Sequence, residues 1–264
     1  MSNNSVKKTI SVALGICLVC SVLVSGTAVL LHDRQQENRR LEKIRNILTA
    51  GDLLSEADDP ERVFAGRIDQ EIIDLRSGRP LPESDYGDML NPADFNMLTT
   101  ASSDSFGIRI PDDKDIAGIR RKPAFMLVYK VRTDSSFSTL ILPVYGKGLW
   151  STMFGFLALD SDLRTIRGFT VYEHGETPGL GGEVDNPAWK RKWIGKHAYD
   201  AEGNPVIRVI KGTVQADDPE AERKIDGLSG ATLTTQGVDN LIRFWLGDNG
   251  YGPYIRQLKS KGNV

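Results

Sequence analysis

Hydrophobic residues are concentrated in one uninterrupted tract near the start of the chain. Residues 9–31 contain no charged side chain, and a helix rising about 1.5 Å per residue over that length can cross a bilayer core. Lys7 and Lys8 precede the tract, and Arg34 lies close behind it. We expect a retained transmembrane anchor. A cleaved signal peptide is the alternative, because small residues at 25–28 offer a cleavage point, but the tract is longer than a usual signal core.

Helical periodicity follows in two places after the tract. In residues 35–48, Leu41, Ile44 and Leu48 fall on one face with charged residues elsewhere, which predicts a helix continuing from the anchor. A similar pattern over residues 60–75 predicts a second helix. Residues 77–104 are rich in Gly, Pro, Asp and Ser, and we expect an irregular connection there.

Short β-type runs dominate the middle of the chain. They are rich in Val, Ile, Phe and Tyr and are bounded by turn residues; they cover residues 124–132, 137–145, 153–160, 165–172 and 205–211. Short loops between consecutive strands favour antiparallel pairing. Helical patterns over 186–194, 235–246 and 253–259 complete an α+β domain, in which a twisted, mainly antiparallel sheet carries helices on one side.

The amino-acid composition excludes several kinds of functional site but says little about the fold. The 264 residues carry a formal net charge of −2 and show no basic run, so no nucleic-acid footprint is predicted. The two cysteines, Cys17 and Cys20, both lie in the apolar tract, so the rest of the chain has neither disulfides nor a thiolate metal site. His32, His174 and His197 are too scattered for a catalytic triad or a metal centre.

Residues 226–235, with the sequence DGLSGATLTT, form a turn in front of an amphipathic helix. Gly227 and Gly230 permit tight backbone turns, and free amides at the start of a helix favour a phosphate. An ordinary turn with an N-cap hydroxyl is the alternative. The ten residues are called the threonine turn below.

The threonine turn resembles the flavinylation motif of FMN-binding domains, Asp-x-x-Ser/Thr-Gly-Ala-Thr. By that resemblance Thr232 carries FMN through a phosphate ester, and the other motif positions are Asp226, Gly227, Ser229, Gly230 and Ala231. The segments LPVYGKGLWSTMFGFLAL, YEHGETPGLGGEVDNP and WLGDNGYGPYIRQLK are similar to the C subunit of the sodium-translocating NADH:quinone reductase. The likeness runs from the apolar tract almost to the last residue.

Two further segments are candidates for contact with the flavin. Residues 176–183, the glycine loop, are expected to face the isoalloxazine ring; the contacts are Leu180 as an apolar group, Glu176 and Thr177 as hydrogen-bonding groups, and Gly179. Without the resemblance this would be interpreted as a surface loop. In the second segment Trp150 could stack on the ring or belong to the core, and Lys147 could meet the phosphate or lie at a solvated hairpin tip. His174 is either a neighbouring donor or structural.

The resemblance implies a membrane subunit that passes electrons one at a time among the other subunits of a respiratory complex. It implies a periplasmic soluble domain on a single inner-membrane anchor, and a separate flavin transferase that installs FMN from FAD. The basic residues after the tract argue for the opposite orientation. The expected organisation is a cytoplasmic tip and anchor (1–34), a helical and irregular part (35–120) and an FMN-binding domain (121–264).

Other functions stay open from the sequence. The G subunit of an Rnf-type electron transport complex shares the Ser-Gly-Ala-Thr turn, although a shorter chain is expected there. A flavin-free, membrane-tethered binding or assembly protein is a second alternative. In a third, Thr232 is a regulatory phosphorylation site.

Overall fold

The computed structural model describes residues 3–54, 58–133 and 136–260. Its helices are α1 (Asn3–Ala50), α2 (Pro60–Arg67), α3 (Met97–Ser102), α4 (Pro187–Arg191), α5 (Thr232–Leu246) and α6 (Gly252–Ser260). Its strands are β1 (Ile68–Asp74), β2 (Arg79–Pro80), β3 (Gly107–Arg109), β4 (Arg121–Pro123), β5 (Phe125–Arg132), β6 (Phe137–Lys147), β7 (Thr152–Asp160), β8 (Ile166–Glu173), β9 (Arg208–Val209) and β10 (Lys224–Ile225).

The chain divides into two units, Met1–Lys43 and Ile44–Val264. The first contains most of α1, whose side chains there are almost all exposed to the surroundings. By length and apolar composition, α1 is the one helix among the described residues that could cross a membrane. The anchor predicted from residues 9–31 therefore lies in a helix of the required kind.

An antiparallel sheet of six strands, in the order β2-β1-β5-β6-β7-β8, organises the second unit. The β6–β7 pair is the longest ladder, running from Thr139 opposite Asp160 to Lys147 opposite Thr152. This confirms the predicted antiparallel α+β fold. Four of the five predicted strands are β5 to β8, whereas only Arg208–Val209 of the fifth forms a strand.

Both faces of the sheet are covered, which differs from the expectation of helices on one side. Successive residues of β6, such as Ile141 and Leu142, are fully buried, although their side chains point to opposite faces. A Cβ on Gly146 would lie 2.5 Å from Leu241 of α5, and a Cβ on Gly51 would lie 2.9 Å from Ile141. The α5 helix therefore covers one face, and the segment that ends α1 covers the other.

The second predicted helix is wrong in its C-terminal half. Helix α2 ends at Arg67, and Ile68 begins β1, which pairs with β5 from Ile68 opposite Val131 to Asp74 opposite Phe125. Ile68, Ile72 and Ile73 are buried in this strand. The same isoleucines fit a helical stripe in the sequence, but long-range pairing with β5 decides the structure.

Helix α5 is positioned firmly behind the threonine turn. The indole Nε1 of Trp245 donates to the carbonyl oxygen of Tyr145 at 2.7 Å, and Val238, Leu241 and Ile242 are buried. The helix begins at Thr232, three residues before its predicted start. Because α5 is locked onto β6, its first turn has a fixed position relative to the β6–β7 hairpin.

Candidate functional site: a cofactor site around Glu176

Glu176 connects three segments that are far apart in the sequence. Its buried carboxylate accepts backbone hydrogen bonds from Trp150 (2.9 Å), Ser151 (3.2 Å) and Leu149 (3.2 Å) in the hairpin tip, residues 148–151. Its Oε2 also accepts the hydroxyl of Thr234, at 2.6 Å. The hairpin tip, the glycine loop and the threonine turn therefore meet at one carboxylate.

The electrostatics of Glu176 follow from these contacts. Burial by itself raises the pKa of this carboxyl, but the hydrogen bonds from Thr234 and the three amides outweigh it and hold the pKa below its usual range. Donors directed at an ionised oxygen form stronger bonds than neutral pairs. Glu176 is therefore a charged, internally satisfied anchor for the three segments.

A glycine is required where the glycine loop passes this carboxylate. A Cβ on Gly181 would lie 2.5 Å from Oγ1 of Thr234 and 2.9 Å from Oε2 of Glu176. Real Cβ atoms do not approach so closely, so any larger residue would push the threonine turn away. Both carboxylate oxygens of Glu176 accept hydrogen bonds from within the protein, so we assign Glu176 the role of holding the three segments together. The exposed Thr177 is better placed for the predicted hydrogen bond to the ring.

His174 also supports the glycine loop. Its Nδ1 accepts the amide of Glu176 at 3.1 Å, so the proton lies on Nε2, which is 2.7 Å from Oδ2 of Asp185. The hydroxyl oxygen of Ser151 accepts a hydrogen bond from the amide of Gly175 at 2.6 Å. The role of His174 in the described structure is therefore structural, which is the second of the two interpretations from the sequence.

Thr232 occupies the first position of α5 with its side chain exposed. The N-cap residue is Ala231, which offers no side-chain acceptor, so the predicted N-cap hydroxyl is not observed. Within the described part of the chain, neither the Thr232 hydroxyl nor the amides of Thr232, Leu233 and Thr234 have a hydrogen-bond partner. A free hydroxyl and free amides thus lie together at the positive end of a long helix.

The backbone that precedes Thr232 lies next to the glycine loop. Gly230 adopts φ +70°, a backbone conformation that residues other than glycine rarely adopt. A Cβ at that position would lie 3.0 Å from Cδ2 of Leu180. Leu180 therefore lies beside the Ser-Gly-Ala-Thr sequence. Gly179, beside it, also has a positive φ of +75°.

Large apolar side chains are exposed around this point. Trp150 is 65% exposed, which excludes the core tryptophan considered from the sequence. Leu180 is 44% and Leu233 57% exposed, and exposed clusters of this kind mark ligand or partner sites. Leu233 was missed in the sequence, although its position off the core face of α5 was a usable signal. These groups suit a flat aromatic ring beside a phosphate.

Asp226 is neutralised by residues outside the threonine turn. Its Oδ2 is 2.5 Å from Nζ of Lys192, and its Oδ1 accepts the amide of Val214 at 2.8 Å. Burial raises the pKa of Asp226, but Lys192 and the Val214 amide outweigh it and lower the pKa. Among the described residues, the donors to the Asp226 carboxylate come from outside the threonine turn. Pairing with Lys192 removes the repulsion that a lone carboxylate would exert on a nearby phosphate.

Leu228, Ser229 and Lys147 lie in different surroundings. Leu228 is buried, and its amide donates to Oγ1 of Thr235 at 2.9 Å, which fixes the turn from inside. Ser229 is exposed beside Gly230. Lys147 is exposed at the end of β6, next to the hairpin tip. No cluster of three or more metal-binding side chains occurs among the described residues.

Comparisons with known proteins agree with this geometry. An FMN-binding domain model matches residues 148–247, a range that contains the hairpin tip, the glycine loop and the threonine turn. The chain is 46% identical to the C subunit of the Na(+)-translocating NADH-quinone reductase of Yersinia pestis over 262 residues, covering 98% of this chain and 95% of that protein. It is 45% identical to the corresponding protein of Pseudomonas aeruginosa over 261 residues, covering 98% of each chain.

A solved structure supports the same assignment. The crystal structure of Shewanella oneidensis NqrC superposes with a TM-score of 0.75 at 35% identity, covering 85% of this chain and 99% of that one. At these identities and coverages the relationship is one of family and not of fold alone. The chain therefore belongs to the family formed by the C subunits of the Na(+)-translocating NADH-quinone reductase, and it contains an FMN-binding domain.

Proposed function

We propose that this chain is the FMN-carrying, electron-transferring subunit of a sodium-translocating NADH:quinone reductase, with the flavin attached through its phosphate to Thr232. The observation that carries the attachment is the free, exposed hydroxyl of Thr232 at the start of α5, beside three unpartnered amides in the described structure. FMN supplies the redox chemistry when bound. The protein holds it in place and sets its surroundings.

Attachment requires a phosphoryl transfer, and we assign the donor as FAD and the catalyst as a separate flavin transferase. The Oγ–P bond to Thr232 forms while the pyrophosphate bond of FAD breaks. AMP leaves, and the hydroxyl gives up its proton. The ester that remains has FMN's phosphate at the positive end of α5, where the helix dipole and the amides of residues 232–234 stabilise it.

The isoalloxazine ring is proposed to lie over the exposed apolar groups near Gly230. Leu180 offers an apolar contact, Thr177 and the backbone at Gly179 offer polar ones, and Trp150 can stack on or shield one face. Lys147 is exposed and can approach the phosphate as a point charge. Glu176 acts behind this layer by holding the three segments together.

Leu180→Asp is expected to change the flavin's spectrum or its midpoint potential, because a carboxylate beside the ring disfavours added negative charge there. The variant should keep its covalent flavin, since Leu180 is exposed and lies outside the flavinylation motif. Ile194→Asp is the matched control, a comparably exposed apolar residue on another part of the domain. An unchanged spectrum and potential in Leu180→Asp would remove the glycine loop from the ring's surroundings.

The membrane arrangement forms part of the same proposal. Helix α1 anchors the protein by a single span in the bacterial inner membrane, with the FMN-binding domain in the periplasm. The division into anchor (1–34), helical and irregular part (35–120) and FMN-binding domain (121–264) remains our interpretation. The Rnf-type subunit and a flavin-free protein are not favoured, because the NADH-quinone reductase relatives match almost the whole chain and the FMN-binding model matches its site.

The function is tested by complementation of a host strain lacking this chain. Its membranes should lose sodium-stimulated quinone reduction by NADH, and the wild-type chain should restore it. The Thr232→Ser chain is compared with the wild-type chain in the same strain, because it keeps a hydroxyl at the acceptor position. Sodium-stimulated activity that persists without the chain would contradict the proposed function.

A further inference from the structure

A basic pocket lies on the β3–β4 hairpin and its connecting loop. The cavity measures about 390 Å³ and is lined by Arg109, Ile110, Asp112, Arg120 and Arg121. The lining contains three arginines and one aspartate, so it has an excess of two positive charges. Neither the flavin site nor its supporting contacts use these residues.

Arg109 and Arg121 are paired directly across the two strands. In the register of β3 and β4, Arg109 lies opposite Arg121, so the two side chains share one face of the hairpin. Like charges directly opposite each other destabilise a strand pair. In the described part of the chain, neither Arg109 nor Arg121 forms an ion pair that would relieve this repulsion.

Arg120 adopts a strained backbone conformation beside that pair. Its φ is +62°, and the amide of Arg121 donates to the carbonyl oxygen of Ile119 at 2.6 Å across it. A positive φ spanned by such a bond defines a γ-turn that is rare and strained for a residue with a side chain. Arg120 is the third arginine of the pocket lining.

The surrounding structure holds this arrangement in place. Oδ2 of Asp115 accepts the amide of Arg120 at 2.7 Å, and the Ile110 amide donates to the Arg120 carbonyl at 2.9 Å. The guanidinium of Arg121 is oriented by the carbonyl oxygens of Ala101 (2.9 Å) and Ser103 (2.8 Å). The pocket is thus built by specific contacts and is not a chance meeting of surface side chains.

We propose that this pocket binds a phosphate monoester group, either on a small soluble molecule or at the headgroup of an acidic lipid. A phosphate monoester carries about −1.5 to −2 charges at neutral pH, which matches the excess positive charge of the lining. Guanidinium groups bind such oxygens in bidentate fashion. The bound phosphate offsets the Arg109–Arg121 repulsion and makes use of the strained Arg120.

The test measures thermal unfolding of the full chain in an uncharged detergent, with the protein co-expressed with a flavin transferase so that FMN's phosphate occupies the site at the start of α5. Inorganic phosphate is titrated at an ionic strength held constant with NaCl, which separates binding from screening. Wild-type protein should unfold at a higher temperature as phosphate is added. Arg109→Gln and Arg120→Gly should each weaken phosphate binding roughly tenfold or more, whereas Arg79→Gln, an exposed arginine of β2, should bind as the wild type does.

Arg120→Gly separates loss of binding from loss of fold. Glycine adopts a positive φ without strain, so this variant should be at least as stable as the wild type in phosphate-free buffer. A second titration compares glycerol 3-phosphate with dioctanoyl phosphatidic acid. Binding of glycerol 3-phosphate supports a small soluble ester as the source, and binding of phosphatidic acid alone supports a lipid headgroup. Absence of stabilisation by any of the three ligands, or a phosphate response unchanged in both pocket variants, would overturn the proposal.

Discussion

Replacing Thr232 with alanine is expected to abolish covalent FMN while leaving the domain folded. The hydroxyl is exposed and has no hydrogen-bond partner among the described residues, and the N-cap position belongs to Ala231. The free energy of unfolding should therefore change by less than about 1 kcal/mol. The measurement is flavin fluorescence that migrates with the polypeptide on a denaturing gel after co-expression with a flavin transferase.

Two variants serve as controls for Thr232→Ala. Thr213→Ala removes an exposed hydroxyl outside the flavinylation motif and should keep its fluorescence. Thr232→Ser keeps a hydroxyl at the acceptor position and should be modified, although more slowly, because serine lacks the methyl group that restricts its rotamer. Fluorescence retained by Thr232→Ala, or lost equally in Thr213→Ala, would contradict the assignment of Thr232 as the acceptor.

Glu176→Gln is expected to destabilise the domain by about 2–4 kcal/mol, because the amide group replaces an acceptor oxygen of a buried carboxylate and leaves amide or hydroxyl donors without a partner. For a domain of this size the unfolding midpoint should fall by roughly 5–15 °C. Losing these hydrogen bonds should reduce flavin attachment as well, since Thr234, the hairpin tip and the glycine loop are all held by this carboxylate. Glu173→Gln, an exposed glutamate at the end of β8, is the matched control.

The same variant should alter the pH dependence of stability. The pKa of Glu176 is lowered in the folded protein, so its contribution is fully present above the unfolded value of about 4.3 and is lost as the pH falls through the lower folded value. Wild-type protein should therefore lose stability in that acidic range more steeply than Glu176→Gln. Equal midpoints and equal acid sensitivity in Glu176→Gln and Glu173→Gln would contradict the assigned role.

Local sequence patterns predicted the parts of this structure that depend on neighbouring residues. Alternating or continuous apolar runs identified β5 to β8, and the stripe through Val238, Leu241 and Ile242 identified α5. The glycines of the threonine turn and the glycine loop marked the places where the backbone adopts positive φ, at Gly230 and Gly179. These signals are local, so one sequence is enough to detect them.

Features that depend on distant pairing were misassigned or missed. Ile68 begins a strand because it pairs with Val131, and no local pattern reports that partner. Asp226 is neutralised by Lys192, which lies in a segment brought near only by the packed fold. Glu176 was predicted as a hydrogen-bonding group for the ring, and the sequence did not report that its carboxylate accepts amides of the hairpin tip. In each case tertiary contacts selected one of several structures that the local sequence permits.

The resemblance to the flavinylation motif supplied what physical reasoning alone did not. A Ser-Gly-Ala-Thr turn before a helix is compatible with a simple cap, with phosphate binding and with modification. The structure narrows these possibilities, because the Thr232 side chain is exposed and does not cap α5. The exposed Trp150 and Leu233 then give a physical reason to expect a flat ligand near this position.

The central claim is a phosphoester bond between FMN and Thr232, and the most direct measurement is peptide mass spectrometry on protein purified from its native host. We expect the peptide containing Thr232 to carry an added mass equal to that of FMN less one water. Fragmentation should place the added FMN group on Thr232. An unmodified peptide, or one carrying only a phosphate, would contradict the account.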